Sequence, residues 1–408
     1  MSETEQQKGE EAMTKRHAGE QNFDLVCLSH LRWDFVYQRP QHLLGRAARA
    51  GNRVLFFEEP IFDSDEARLD TSPRDEGVIV AVPHLPHGLS AEETNRTLAR
   101  LLDEMLDELL AAHGIDDFAL WYYTPMALAY SSHLRPQVTI YDCMDELSMF
   151  KGASPELRDF ENRLFQRAGL VFTGGQSLYE AKCEQHPEHR AVHCFPSSVD
   201  VAHFAIARGH VEEPADQAEI PHPRFGFFGV VDERFDIELL GGLAKKRPDW
   251  HFVIIGPIVK IDDGSLPRDS NIHYLGGKTY AELPLYISGW DVATLLFARN
   301  ESTRFISPTK TPEYLAAGRN VISTSIRDVV RPYGELNLVS IADTVDDFTR
   351  AAAVFLRTDF DRAAWLNEVD NQLKQNSWDR TWQRMDDLIR AGLIANHTET
   401  RREINSVE

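Results

Sequence analysis

Lys310 and Glu313 lie three residues apart in the segment PTKTPEYLAAG, which covers residues 308–318. Pro312 is favoured in the first turn of a helix, and helical residues three apart share one face. The lysine and the free backbone N–H groups of that turn could hold a diphosphate, and the glutamate could accept the hydroxyls of a ribose. A capped helix with ordinary surface charges would use the same residues. The segment by itself therefore leaves both interpretations open.

Two segments of the chain resemble a known enzyme class. The Glu-Tyr-Leu-Ala-Ala-Gly core at residues 313–318, followed by a short apolar strand, is similar to the nucleotide-binding motif in the C-terminal domain of GT-B glycosyltransferases. The segment SHLRWDFVYQRPQHL at residues 29–43 resembles the opening of a bacterial subgroup of these enzymes related to teichuronic acid transferases. The resemblance covers residues 23–388.

The resemblance implies an α/β protein of GT-B architecture, in which two Rossmann-like doubly wound domains face a cleft and a C-terminal helix crosses back to the first domain. It also implies a metal-independent glycosyltransferase of the hexosyltransferase type. Such an enzyme moves a sugar from a nucleotide diphosphate donor, UDP being the commonest in the family, to an acceptor hydroxyl in bacterial surface polysaccharide or related glycan assembly. The acceptor would be a glycan or a lipid-linked glycan, and no cofactor would be needed beyond the nucleotide sugar. A nucleotide-sugar epimerase of the same fold and a non-catalytic scaffold of a polysaccharide assembly machine remain alternatives.

Composition limits the kinds of partner. The chain has 408 residues, of which 64 are Asp or Glu and 43 are Lys or Arg, giving a formal net charge of -21. An acidic chain is unsuited to general nucleic-acid binding, which depends on Lys and Arg neutralising phosphates. The 4 cysteines and 16 histidines show no metal-ligand spacing, so no metal site is expected.

The sequence also bears on the compartment. No run approaches the roughly 18 apolar residues that span a bilayer, and no secretory signal is visible. We therefore expect a cytoplasmic protein with reduced thiols. Contact with a membrane would be peripheral, at its inner face.

Apolar runs alternate with helical periodicity in two successive series, which predicts two doubly wound parallel sheets. The predicted strands lie at residues 23–28, 53–58, 118–123, 138–142, 170–173, 224–229, 250–256, 272–276, 291–296 and 320–324. The charged, proline-containing stretch EEPADQAEIPHP separates the two series. The predicted division is a disordered lead at 1–22, an acceptor-side domain at 23–206, a linker at 207–223, a nucleotide-sugar-binding domain at 224–378, a crossover helix at 379–395 and a disordered tail at 396–408.

A second cation, Arg234, lies in the loop after the first strand of the second half, where parallel sheets bind ligands. In the resembled enzymes a cation of this loop pairs with the later lysine on the donor diphosphate. Arg234 and Lys310 are therefore predicted to stabilise the leaving diphosphate without a metal, with Thr309 as a neighbouring nucleotide contact. The alternative is a surface arginine paired with Asp232 or Asp236.

Two carboxylates and a histidine are the candidates for proton transfer. Asp142 and Asp145 follow an apolar strand of the first half, at a position that contributes to the active site in similar enzymes, and His30 lies in the first loop. A carboxylate or histidine near the acceptor hydroxyl could take its proton. Capping of a following helix is the alternative role of Asp145.

The first loop carries aromatic and charged residues and no GxGxxG, which argues against a dinucleotide cofactor. Trp33 and Arg39 are predicted to contact the acceptor, because a pyranose face stacks on an aromatic ring; Trp33 could instead pack in the core. Glu301 is a further predicted sugar contact, with an ordinary polar loop as the alternative. Phe305 lies where many retaining GT-B enzymes carry a glutamate, so the stereochemical outcome stays open.

Overall fold

The first half of the chain forms a mainly parallel sheet whose central strands are buried on both faces, as helix-covered parallel sheets are. The computed structural model describes residues 22–113, 118–357 and 360–407. The strands of this half are β1 Asp24–Leu28, β2 Arg53–Phe57, β3 Ile61–Phe62, β4 Arg68–Pro73, β5 Val78–Leu85, β6 Phe118–Tyr122, β7 Val138–Cys143, β8 Leu170–Thr173 and β9 Val192–Cys194. Its helices are α1 Arg39–Arg49, α2 Ala91–His113, α3 Leu128–Ser131, α4 Leu157–Arg167, α5 Gln176–Gln185 and α6 Val201–Ala205.

Strand β1 lies between β2 and β6 and pairs with both in parallel. The strand order is β3-β5-β2-β1-β6-β7-β8-β9, with β4 antiparallel to β5. The strand order reverses beside β1, which opens a crevice at the carboxyl ends of the strands. The loops that follow β1 and β7 reach this edge.

The second half repeats the design with six parallel strands in the order β12-β11-β10-β13-β14-β15. These strands are β10 Arg224–Phe228, β11 His251–Ile255, β12 Ile272–Gly276, β13 Val292–Leu295, β14 Asn320–Ser323 and β15 Val339–Ile341. The helices are α7 Ala215–Ala218, α8 Ile237–Lys246, α9 Leu283–Ser288, α10 Lys310–Ala316, α11 Arg327–Val329, α12 Val345–Phe355, α13 Arg362–Leu373 and α14 Trp378–Val407.

The two doubly wound sheets confirm the predicted fold class, and every predicted strand lies within one residue of its observed ends. Strands β3, β4, β5, β9 and β15 were not predicted from the sequence. In β5 the run at residues 78–82 is continuous and apolar, a strand signal that the prediction overlooked, whereas β3, β9 and β15 have only two or three residues each. Because each described strand pairs within its own half, we propose the predicted division into two domains.

The predicted linker is a packed segment that contains a helical turn. Gln217, on α7, is fully buried. Its side-chain nitrogen donates to the carbonyl of Tyr286 at 2.8 Å, and its oxygen accepts from Trp290 Nε1 at 2.9 Å. The connection is therefore attached to the second sheet, unlike a flexible spacer.

Helix α14 returns to the first half, as predicted. Trp378, Trp382, Met385 and Ile389 are buried in the same core as strands β1 and β7. Helical backbone continues to Val407, so the prediction of a disordered tail from residue 396 was wrong. The predicted disordered lead lies outside the described residues except for its last residue. In the part of the chain that the structure describes, no helix is long and apolar enough to cross a membrane.

Tight packing of β10 against Trp290 gives a test of the second sheet. A Cβ atom on Gly226 would lie 1.9 Å from the indole ring, which is buried and cannot move aside without losing its bond to Gln217. Gly226→Ala is expected to lower the free energy of unfolding by about 1–3 kcal/mol or more. The measurement is urea denaturation, in which the midpoint should move to a lower urea concentration. Gly169→Ala is the control, since its new Cβ would have a 3.8 Å contact. An unchanged midpoint for Gly226→Ala would contradict this packing.

Candidate active site

A cleft of about 1660 Å³ lies between the two halves. Loops after β1 and β7 form one wall, and loops after β10, β11 and β12 form the other together with the segment before α10. Open α/β sheets bind ligands at this position, beyond the carboxyl ends of their strands. Among the described residues, no group of three or more His, Cys, Asp or Glu side chains is placed to hold a metal ion.

Lys310 begins α10 and extends beside Gly229, the residue after β10. Gly229 has φ +136°, and a Cβ atom there would lie 2.1 Å from Lys310 Cε. Glycine therefore permits both this backbone conformation and the close approach of the lysine. The ammonium lies 5.7 Å from the centre of the Phe227 ring and 5.9 Å from that of Phe297. The local sequence thus directs one cation to the second wall of the cleft.

Burial governs the charge of Lys310. Loss of hydration lowers its pKa to about 8, and the neighbouring Arg234 cation adds to this decrease. Glu313, Asp232 and Asp145 act in the opposite direction. None of the residues that the structure describes makes an ion pair with the ammonium. A partly desolvated cation in this state is stabilised by an anionic ligand.

Glu313 lies on the same helix and is 5% exposed. Its Oε2 is buried and has no hydrogen-bond partner among the described residues. Burial raises the pKa of this carboxyl to about 7, against the effect of Lys310. A buried carboxylate oxygen without a donor is costly, which points to a ligand that donates hydrogen bonds. Thr309, just before the helix, also lines the cleft and makes no side-chain cap.

Arg234 lies in the cleft, as expected for a nucleotide contact. It also forms the ion pair with Asp232 that the sequence indicated as its alternative role. Its Nη2 is 2.6 Å from one oxygen of Asp232, and its Nε is 3.0 Å from the other. Burial would lower the pKa of Arg234, but these bonds and the charges of Asp232 and Asp145 raise it overall. The guanidinium also faces the Phe150 ring of the first half at 5.3 Å. Asp232 thus holds the second cation beside Lys310.

Asp145 lies on the opposite wall, in the loop after β7. Burial raises its pKa, while the Arg234, Arg39 and Lys310 cations oppose this shift. The short helical turn after it begins at Leu147 and has no side-chain cap, so the capping role does not apply. None of the described residues donates a hydrogen bond to its carboxylate. The carboxylate therefore faces the two cations across the cleft without a structural partner.

His30 lines the cleft in the loop after β1. Burial lowers its pKa to about 4, with a smaller contribution from Lys260 and an opposing one from the backbone of Tyr123. The imidazole is therefore neutral at pH 7. Its Nδ1 is buried and has no partner among the described residues. The side chain can exchange hydrogen bonds with a ligand but adds no charge.

Arg39 lines the cleft and is paired with Asp142, which lies behind it and does not line the cleft. The guanidinium of Arg39 binds both Asp142 oxygens at 2.9 Å, through Nε and Nη2, and donates to the carbonyl of Phe195 at 2.8 Å. Asp142 is fully buried, and Arg39 is 3% exposed. The predicted acceptor role of Arg39 and catalytic role of Asp142 do not fit this placement, because each group saturates the other.

Two further predicted sugar contacts are placed differently from expectation. Trp33 borders the cleft but is 4% exposed, and its ring packs edge-on against Phe56 at 5.0 Å, so the core alternative describes its ring. Glu301 is exposed and lies outside the cleft lining. Its turn is held by Asn300 and Thr303, which bond each other in a reciprocal cap. That turn directs Glu301 towards solvent.

Sequence reasoning missed an aromatic residue of the cleft. Tyr280, in the loop after β12, stacks on Tyr37 of the first half with ring centres 4.7 Å apart. It also stacks on His203 at 4.3 Å. The Tyr280 hydroxyl is buried without a partner among the described residues. A tyrosine in a loop carries no spacing signal, and only the folded structure shows that it joins the two walls.

Comparison with known proteins identifies related sequences and folds. No protein-family model matches the chain. A provisionally named teichuronic acid biosynthesis glycosyltransferase, TuaH, of Bacillus subtilis (strain 168) is 27% identical over 243 residues. The match covers 55% of this chain and 60% of that protein. The chain therefore matches less than two thirds of this relative's length.

Solved structures show the fold. Sucrose-phosphate synthase (tll1590) of Thermosynechococcus elongatus superimposes with a TM-score of 0.67 at 15% identity, covering 92% of this chain and 100% of that one. The UDP-forming trehalose-phosphate synthase of Burkholderia xenovorans gives 0.65 at 11% identity, covering 91% and 99%. HepE of Anabaena, solved with UDP and glucose, gives 0.63 at 15% identity, covering 90% and 99%. The chain has the GT-B fold that these proteins share.

The lowered pKa of Lys310 predicts how affinity for a nucleotide diphosphate sugar changes with pH. The free protein loses the lysine proton above about pH 8, so the dissociation constant should then rise, approaching about tenfold per pH unit. Calorimetric titration from pH 8 upwards measures this, since Glu313, whose pKa is about 7, is then largely ionised. Lys310→Met should bind weakly at every pH, and Lys245→Met, an exposed control, should behave as the wild type. A wild-type affinity that does not change with pH would contradict the assignment.

Proposed function

We propose that the protein is a metal-independent glycosyltransferase that moves a sugar from a nucleotide diphosphate sugar to an acceptor hydroxyl. The observation that carries the proposal is the placement of charge in the cleft. Arg234 and Lys310 lie on one wall, and Asp145 faces them from the other, close enough for both cations to shift its pKa. A phosphate-binding pair opposite a carboxylate suits a reaction that releases a diphosphate and removes a proton from a hydroxyl.

On the donor side, the diphosphate lies against Arg234 and Lys310, and Thr309 is a further contact. Glu313 accepts hydrogen bonds from the ribose hydroxyls, which supply the donors that its buried oxygen lacks within the described protein. The bond between the anomeric carbon and the phosphate oxygen breaks, and its electron pair leaves with the diphosphate. The two cations stabilise this developing negative charge. The diphosphate also stabilises the protonated form of Lys310.

On the acceptor side, the hydroxyl oxygen forms the new bond to the anomeric carbon and transfers its proton to Asp145. Burial raises the pKa of Asp145, which makes the carboxylate a stronger base than an exposed one. His30, neutral and with an unpaired nitrogen, orients the acceptor on the same wall. No cofactor beyond the nucleotide sugar takes part in these steps.

We infer that UDP is the donor nucleotide and that the acceptor is a glycan or lipid-linked glycan of bacterial surface polysaccharide or related assembly. The name of TuaH supports the product class, and the complex of HepE with UDP and glucose supports the nucleotide. The reaction would take place in the cytoplasm, with peripheral contact at the inner face of the membrane when the acceptor is lipid-linked.

The test of this function is binding followed by turnover. The purified protein is titrated with UDP, GDP and a panel of nucleotide sugars, with and without EDTA, and acceptor-dependent release of the nucleotide is then measured. Saturable binding of one nucleotide that EDTA does not change, followed by acceptor-dependent release, is expected. Interconversion of sugars without acceptor would instead indicate an epimerase. Binding of no nucleotide would contradict the proposal.

Replacement of the base predicts a loss confined to turnover. Asp145→Asn keeps the size of the side chain but cannot take the acceptor proton, so kcat should fall by about 100-fold or more. Donor affinity measured by calorimetry should stay near that of the wild type. Asp75→Asn, an exposed carboxylate on the same wall, is the control and should retain kcat. Wild-type turnover in Asp145→Asn would remove this residue from the reaction.

A further inference from the structure

Helix α5 contacts the second domain through its first turns. The Asp328 carboxylate, on α11, accepts from the backbone N–H of Ser177 at 3.0 and 3.3 Å. Glu180, one turn further, pairs with Arg327 at 2.5 Å and with Arg331 at 3.3 Å. This end of the helix is therefore docked on the other domain by charged groups.

The docking contact is close and lies next to the donor segment. A Cβ atom on Gly175 would lie 2.2 Å from an oxygen of Asp328 and 2.7 Å from Cβ of Ser307. Ser307 lines the cleft three residues before Lys310. The contact that docks α5 thus also touches the chain that leads into the donor site.

The same helix holds a buried charge cluster inside the first domain. Lys182, two residues after Glu180, is fully buried, and its ammonium lies 2.7 Å from Glu146 and 2.7 Å from Glu161. Tyr141 donates to Glu161 at 2.8 Å. Burial of three charges is costly unless their geometry is well satisfied, as it is in this cluster. The main effect of such a cluster is to fix the positions of its side chains, and its net contribution to the free energy of unfolding is small.

One member of the cluster is next to the proposed base. Glu146 follows Asp145 directly, and its second oxygen accepts from the Ser148 hydroxyl at 2.7 Å. The loop is fixed from the other side by Gly174, where a Cβ would lie 2.2 Å from the carbonyl oxygen of Met144. The path of residues 144–148 is therefore set by contacts from Lys182 and from the start of α5.

We propose that Lys182 is a positioning residue for Asp145, and that α5 transmits the docking of the two domains to the loop that carries this carboxylate. The inference rests on the proposed function in that Asp145 is taken to act on the acceptor. Its geometric part is independent of that function. One continuous physical connection runs through α5. Its first turns contact Asp328, Arg327 and Arg331 of the second domain, and Lys182 in its middle contacts Glu146.

The experiment compares three conservative variants with the wild type. Glu146→Gln keeps the shape of the side chain and leaves the Lys182–Glu161 pair intact, which avoids an uncompensated buried lysine. Asp328→Asn weakens the docking contact in the other domain. Glu184→Gln, on the exposed side of α5, is the control. Each variant is examined by hydrogen–deuterium exchange without ligand, by melting temperature, and by kcat, KM and donor affinity.

Faster exchange at residues 144–149 is expected in both Glu146→Gln and Asp328→Asn, but not in Glu184→Gln. In the two affected variants kcat should fall by about tenfold, while KM and donor affinity change little, as expected when only the base is displaced. Faster exchange confined to residues 174–180 in Asp328→Asn would overturn the transmission through α5. Unchanged exchange at residues 144–149 in Glu146→Gln would overturn the positioning role. If the wild type transfers no sugar, the proposed function fails, and the exchange data still decide the geometric part.

Discussion

A partly buried lysine ammonium without an ion-pair partner among the described residues is the constraint on which the cleft depends. Glycine at position 229 leaves room for Lys310, and the rings of Phe227 and Phe297 lie near its ammonium. The carboxylates of Glu313 and Asp145 act on its pKa without forming an ion pair with it. Loss of hydration around an ammonium without an ion-pair partner costs free energy, and this cost is why the pKa of Lys310 is lowered. A diphosphate relieves this cost by providing the missing counter-charge. The desolvation cost of Lys310 in the free protein and the affinity of the site for the donor thus have the same physical origin.

Docking of the two domains brings this charge opposite the groups that would use it. The aromatic stack of Tyr37 on Tyr280 joins the walls at one place, and the Arg234 guanidinium over Phe150 joins them at another. Each contact links a loop at the carboxyl ends of one sheet to a loop of the other. Because both sheets are doubly wound, these loops are set by the strand order rather than by the linker. The site therefore exists only where the two halves meet.

The sequence predicts the central strands of both sheets, because these strands are continuous apolar runs. Strands such as Leu170–Thr173 and Ile272–Gly276 were predicted at their observed ends. Strand β3 was missed because it has only two residues, and β4 because its residues are mostly polar. The helical tail was missed because polar residues give little sign of a helix that extends past its packed part.

The site was predictable where a motif carries the chemistry, and unpredictable where tertiary pairing decides. Spacing and resemblance placed Lys310, Glu313 and Arg234 on one wall, and the structure does bring them together. Arg39 and Asp142 are 103 residues apart in the chain, and nothing local shows that they neutralise each other. Partners of this kind, like the stack on Tyr280, follow from the folded topology alone.

The most direct test of the account is a crystal structure of the wild-type protein with a bound nucleotide diphosphate sugar. We expect the diphosphate between Arg234 and Lys310, the ribose hydroxyls on Glu313, and the anomeric carbon directed towards the wall that carries Asp145. A nucleotide bound elsewhere, or bound in the cleft with its diphosphate turned away from both cations, would contradict the central claim.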